Sequence, residues 1–264
     1  MRVIFTLAML LCCGPCRAAQ SIVSLLPSNT EILYAIGAGP LAGVSNFCDY
    51  PPETASVPKL GDLLAPNVEK IALMKPDLVL GGQNKTATAA RLRKMGVNFI
   101  AIPDAATLAD LEKNIILIGK LSGRERRALE LAEQIRREIA ALKPEPGKKI
   151  PSVYVEADQS LWTAGGRSYI SDIVEKAGGR NIFADENKSY FKASWESIVA
   201  RNPDYILVLS RAKTDYSALP MSAEVNAVRN GRILPVPDAN IYLRPSPRAV
   251  LAIRELAGLL NEKR

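Results

Sequence analysis

Short apolar runs recur along this chain, separated by stretches with helical periodicity. Strands are predicted near Ile22–Leu26, Leu41–Val44, Leu78–Leu80 and Val97–Ile102, and again near Val153–Glu156, Tyr205–Leu209 and Ile233–Val236. Brief runs of this kind, rich in Val, Ile and Leu and bounded by turn residues, read as buried strands. The first helix is predicted to open at Ser28-Asn-Thr-Glu31, which has capping-box spacing. The last is predicted from Pro247 to Leu260. Strands that alternate with helices point to the α/β class with parallel sheets.

The pattern is duplicated. Val68-Glu-Lys-Ile-Ala-Leu-Met-Lys-Pro-Asp-Leu-Val-Leu80 aligns without a gap on Trp195-Glu-Ser-Ile-Val-Ala-Arg-Asn-Pro-Asp-Tyr-Ile-Leu207, at an offset of 127 residues. Each copy predicts a short helix, a proline that ends it, and a buried strand. Asn67 and Ser194 occupy matching N-cap positions. Ile32-Leu-Tyr-Ala-Ile-Gly37 and Ile173-Val-Glu-Lys-Ala-Gly178 form a second pair, each a helix end closed by glycine. Two such halves predict two lobes, each a parallel-sheet α/β unit.

Between them, Ser122 to Leu142 contains no proline and is dominated by strong helix formers. Leu129, Ala132, Ile135, Ile139 and Leu142 recur at helical spacing, with charges on the other face. The dense Arg124–Arg137 charge cluster is thus a solvated helix face. The predicted organisation is a signal segment (1–19), an N-terminal lobe (20–121), one long rigid joining helix (122–143) and a C-terminal lobe (144–264), with a ligand cleft between the lobes.

Composition narrows the chemistry. Among 264 residues, 48% are hydrophobic and 23% charged, which are globular values. There is no histidine, which excludes Ser-His-Asp and Cys-His catalysis and histidine-ligated zinc or haem. The net charge is +7, but aromatics are only 6%, and the scattered cations do not make a nucleic-acid surface. Arg2, the apolar run Val3–Cys13 and the small residues Ala18-Ala19 follow the order of a secretory signal. Cleavage there removes Cys12, Cys13 and Cys16, leaving Cys48 as a lone thiol of the buried, unreactive kind. A soluble, exported, periplasmic and monomeric protein is expected.

No G-x-S-x-G elbow, phosphate loop or G-x-G-x-x-G follows any predicted strand. The expectation is that the chain is not an enzyme and holds no catalytic cofactor or metal. A cleft that captures a ligand fits better.

Four segments carry a family likeness. Ile22-Val-Ser-Leu-Leu-Pro-Ser-Asn-Thr-Glu31, Gly43-Val-Ser-Asn-Phe-Cys-Asp-Tyr-Pro-Pro52, Pro66-Asn-Val-Glu-Lys-Ile71 and Lys75-Pro-Asp-Leu-Val79 resemble the periplasmic cobalamin-binding proteins of ABC importers. Those belong to the binding-protein class with a single helix between lobes, shared with haem and iron-siderophore binders. The resemblance covers the whole mature chain and implies a cobalamin or related corrinoid ligand. It implies ligand contacts at Phe47 and Tyr50, at Leu63 in place of a family aromatic, at Tyr190, and along Asn240, Ile241, Tyr242, Leu243 and Arg244. One further family aromatic has no counterpart near Gly81-Gly82. Haem is the alternative, with Tyr50, Tyr190 or Tyr242 as iron ligand. A ferric siderophore would call on Arg167, Arg211, Arg244 and Arg248. A signalling or scaffold protein on the same fold is the rival from another class.

Glu69 and Glu196 stand at the same place in the two repeats. A carboxylate there is favourable to the helix dipole by about 0.3–1 kcal/mol, which would suit any helix but does not explain one per lobe. The resemblance implies that they dock the chain onto the two permease subunits of an ABC transporter.

Overall fold

The computed structural model describes residues 19–62, 65–83, 86–142, 149–158, 160–210 and 214–261. The first lobe holds β1 (Ile22–Ser24), α1 (Pro27–Ala35), β2 (Gly43–Val44), α2 (Val68–Leu73), β3 (Leu78–Gly82), α3 (Thr86–Lys94) and β4 (Phe99–Ile102). Its strands form an all-parallel sheet in the order β2-β1-β3-β4. Helices α4 (Leu108–Leu121) and α5 (Glu125–Ala141) follow. The second lobe contains β5 (Ser152–Asp158), β6 (Trp162–Ala164), α6 (Tyr169–Lys176), β7 (Arg180–Asn181), β8 (Tyr190–Lys192), α7 (Trp195–Arg201), β9 (Tyr205–Val208), α8 (Asn226–Arg229), β10 (Ile233–Pro235), α9 (Asn240–Leu243) and α10 (Ala249–Asn261).

The second sheet runs β10-β9-β5-β6-β8, with β7 also on β5. Its pairs among β10, β9, β5 and β7 are parallel, as the alternation predicts. The β5-β6-β8 pairs are antiparallel and add a mixed edge. Those short strands carry too few apolar residues to stand out from loop sequence.

The repeat is structural. Asn67 and Ser194 each accept a bond from the backbone N–H three residues on, at Lys70 (2.8 Å) and Ser197 (3.2 Å). The two Pro-Asp aspartates do one job. Asp77 Oδ2 accepts from the Ser21 N–H at 2.9 Å and Asp204 Oδ2 from the Ser152 N–H at 2.9 Å, so each ties the start of its lobe's central strand to the next one. Gly37 and Gly178 adopt φ +72° and +89°, closing α1 and α6 where a side chain would strain.

Two local expectations are corrected. Helix α1 starts at Pro27, and its cap position, Leu26, has no side-chain acceptor, so the Ser28–Glu31 box does not form. Proline presets the first helical φ without needing a capped N–H, and the Glu31 carboxylate is engaged by arginines of the other lobe. Helix α5 starts three residues late, because Gly123 at φ +69° turns the chain back from α4. Ala128, Ala132 and Ile135 are its buried face, and Leu129 is 48% exposed. A small residue is required there: a Cβ on Gly119 of α4 would lie 2.3 Å from the Ala128 Cβ.

One apolar core passes through both lobes and this helical pair, joining Ile22 and Leu33 to Ile135, Val153, Ile170 and Ile253. Separate clusters fill the outer face of each sheet. A junction packed this way resists hinge bending, because close-packed side chains cannot slide without opening voids.

Candidate ligand cleft

In parallel sheets, ligands sit beyond the carboxyl ends of the strands. A cleft of about 810 Å³ lies there. Asp158 ends β5 and Val208 ends β9, with Leu209 and Ser210 beyond. Val236 to Ala239 follow β10, and Asn240 and Leu243 come from α9. A tighter cavity of about 220 Å³ with Lys149, Asp204 and Arg232 opens at the opposite, amino ends of the second sheet. The sheet rule favours the large cleft as the site.

Two aromatics from the antiparallel edge face this cleft, Trp162 of β6 and Tyr190 of β8, at 46% and 45% exposure. They come together because Ala164 pairs with Tyr190 and Trp162 with Lys192 in the β6–β8 register. Burial around Tyr190 pushes its hydroxyl up to about 12, so it is a neutral phenol near neutrality. On the first lobe, the loop after β2 presents Phe47 and Tyr50, both exposed. Cys48 pins this loop. Its buried Sγ lies 3.1 Å from Thr30 Oγ1 and 3.2 Å from Ser45 Oγ, and its carbonyl accepts from Lys59 Nζ at 2.7 Å. With the thiol inward, its neighbours Phe47 and Asp49 are left exposed.

Tyr242 is not a cleft residue. It is fully buried, its hydroxyl donating to Glu255 Oε1 at 3.0 Å. Ile241 is buried beside it. The single turn of α9 puts Asn240 and Leu243 on the cleft side and these two on the core side. Leu63 and Arg211 lie outside the described residues. Arg244 is already paired, to Asp49 (Nη1–Oδ1 2.5 Å, Nη2–Oδ2 3.2 Å) and to Glu31 (3.3 Å). Arg248 holds Glu31 through two bonds, of 2.8 and 2.7 Å, and Asp238 at 2.8 Å. Its guanidinium lies 4.2 Å from the Tyr50 ring centroid. Arg244 holds the Asp49 carboxyl below the ordinary range through a hydrogen bond and its charge, against a smaller effect of burial.

Sequence reasoning missed Trp162, Asp158, Asp238 and the role of Glu31. Trp162, one of only two tryptophans, was the available signal, but no periodicity marks its strand. Among the described residues no cluster of metal-ligating side chains occurs. No helix there is long and apolar enough to cross a membrane.

Glu69 heads α2 and Glu196 heads α7, both exposed. Glu69 meets Arg91 of α3 at 2.7 Å, each side chain 63% exposed. Glu196 makes no ion pair among the described residues.

Residues 22–239 match the family model described as periplasmic binding protein. An ABC transporter substrate-binding lipoprotein of Bacillus subtilis is 32% identical over 254 residues, 91% of this chain and 80% of its own length. The vitamin B12-binding protein of Salmonella typhimurium is 29% identical over 255 residues, 93% of this chain and 91% of its own. Among solved structures, a periplasmic haem-binding protein from Roseiflexus superposes with a TM-score of 0.79 at 27% identity, covering 91% of this chain and 97% of that one.

Proposed function

The chain belongs to the periplasmic binding protein family, and we propose that it captures cobalamin or a related corrinoid between its lobes and hands it to an ABC importer. The observation that carries this reading is a cleft faced by two large half-exposed aromatics of the second lobe, Trp162 and Tyr190, with the exposed Phe47 and Tyr50 loop of the first lobe linked to the cleft residue Asp238 through Arg248. A planar macrocycle offers such faces a large apolar area, and asparagine, serine and carboxylate groups at Asn240, Ser210, Asp158 and Asp238 can bond its peripheral amides. The likeness to a vitamin B12-binding protein supports the same ligand class.

Haem is the second reading, favoured by the solved neighbour. With no histidine in the chain, a tyrosine phenolate is the candidate iron ligand. Tyr242 is buried in the core and the Tyr190 proton is held tightly, so Tyr50, against the Arg248 cation, is the remaining aromatic. Capture is reversible binding, without bond chemistry, and the apolar junction between the lobes predicts small lobe movement.

Delivery is assigned to Glu69 and Glu196, one per lobe, as a two-point dock to a two-fold permease dimer. The Glu69–Arg91 pair is a surface pair worth about 0–1 kcal/mol and yields readily to a better cation. Residues 1–19, as an export signal, would place the mature monomer in the periplasm. Mixing purified protein with cyanocobalamin and haem in turn, desalting and recording absorbance tests the assignment. Near-stoichiometric corrinoid bands support it, and a retained Soret band alone replaces it with haem.

A further inference from the structure

We infer that Glu31 is a positioning residue for ligand capture, the hub of a charge clasp that sets the cleft's aperture and holds its first-lobe aromatic rim. This rests on the reading of the cleft as the ligand site. Glu31 lies on α1 of the first lobe with only 2% exposure, yet its partners Arg244 and Arg248 come from the second. A buried carboxylate on an apolar helix persists only if paired and fully bonded. Here both oxygens are occupied, Oε2 by Arg248 Nε and Oε1 by Arg248 Nη2 and Arg244 Nη1.

Each arginine then extends outward from the hub, Arg244 to a first-lobe loop and Arg248 to the second-lobe wall of the cleft. Arg244 continues to the Asp49 carboxylate and the Phe47 carbonyl, at 3.4 Å, and so restrains the loop that presents Phe47 and Tyr50. Arg248 continues to Asp238, a residue of the cleft's second-lobe wall, and covers the Tyr50 ring. Three carboxylates and two guanidiniums thus tie the first-lobe loop of Phe47 to Tyr50 to the second-lobe cleft wall through one buried group. The shared apolar core joins the lobes at their junction, but Phe47, Asp49, Tyr50 and Asp238 lie outside it, so the remaining freedom of the lobes at the mouth is limited by these charged contacts. Asp49 is 59% exposed and Asp238 46%, so the outer arms are solvent-screened while the hub is not.

The test uses Glu31→Gln, which keeps shape and removes the charge, and Asp49→Ala, an exposed change that cuts one arm without threatening the fold. Ligand-free protein would carry nitroxides on cysteines introduced at the exposed positions of Lys94 and Arg229, one per lobe, Cys48 being buried. Cyanocobalamin binding would be measured on unlabelled protein. We expect one narrow inter-lobe distance in wild type, a broadened one in E31Q, and a loss of cyanocobalamin affinity of about tenfold or more in E31Q and about threefold in D49A, with Glu31→Asp restoring part of it. An unchanged distance distribution in E31Q overturns the hub. So does wild-type cyanocobalamin affinity in both variants. If wild type retains no cyanocobalamin while E31Q still broadens, the clasp stands and the corrinoid reading fails.

Discussion

Trp162 offers the sharpest separation of cleft from core. It is 46% exposed, and a tryptophan presents about 250 Å² in all, so roughly 115 Å² is free to be covered by a ligand. At about 25 cal/mol/Å², covering that face contributes at most about 3 kcal/mol, and truncation to alanine removes most of it. Desolvation and ordering costs shared with the rest of the ligand reduce the net figure to about 1–3 kcal/mol, or roughly 5- to 150-fold in Kd. Stability should hardly move, because the side chain lies outside the buried clusters. Tyr242→Phe is the control. It removes a buried hydroxyl from Glu255 and should cost about 1–2 kcal/mol of stability while leaving ligand affinity unchanged. Calorimetric titration with cyanocobalamin, alongside thermal melts, reads both quantities. If W162A is folded and binds as wild type, or if Y242F loses ligand without loss of stability, the assignment of aromatics to the cleft is refuted.

Three other outcomes follow from the same geometry. Glu69→Ala and Glu196→Ala should leave cyanocobalamin affinity unchanged but weaken capture by the reconstituted transporter about tenfold or more each; a pull-down at wild-type strength for both leaves the helix dipole as the sole role of these carboxylates. Asp204→Ala strips a charged acceptor from the Ser152 N–H and hydroxyl and should cost about 2–3 kcal/mol, a fall in Tm of about 5–10 °C, with ligand binding intact at the far end of the sheet. Glu156 is fully buried beneath bonds from Thr214 and Tyr216, and burial raises its pKa above the ordinary 4.5. The native state therefore holds the proton more tightly than the unfolded chain, and wild-type stability gains as pH falls toward 4.5. Glu156→Gln should show a more favourable Tm difference from wild type at pH 8 than at pH 5, and a pH-independent difference refutes the shift.

The sequence alone determined the elements that depend on near neighbours. The Asn67 and Ser194 caps, the glycine closures at Gly37 and Gly178 and the apolar strands are written in residues a few positions apart, so their physics is visible without a fold. Duplication made the two-lobe division legible, because the same run of helix, proline turn and buried strand recurs 127 residues on. Tertiary structure decided the rest. The same turn of chain that exposes Leu243 buries Tyr242, since only the position of α9 between cleft and core tells the two faces apart. Trp162 becomes a cleft residue through antiparallel pairing with β8, a long-range register that no local period encodes. Glu31 reads as a helix-capping carboxylate in sequence and becomes a hub because residues more than two hundred positions away supply its arginines. A buried charge takes its role from the partners that compensate it, and those partners meet only once the two lobes have packed together.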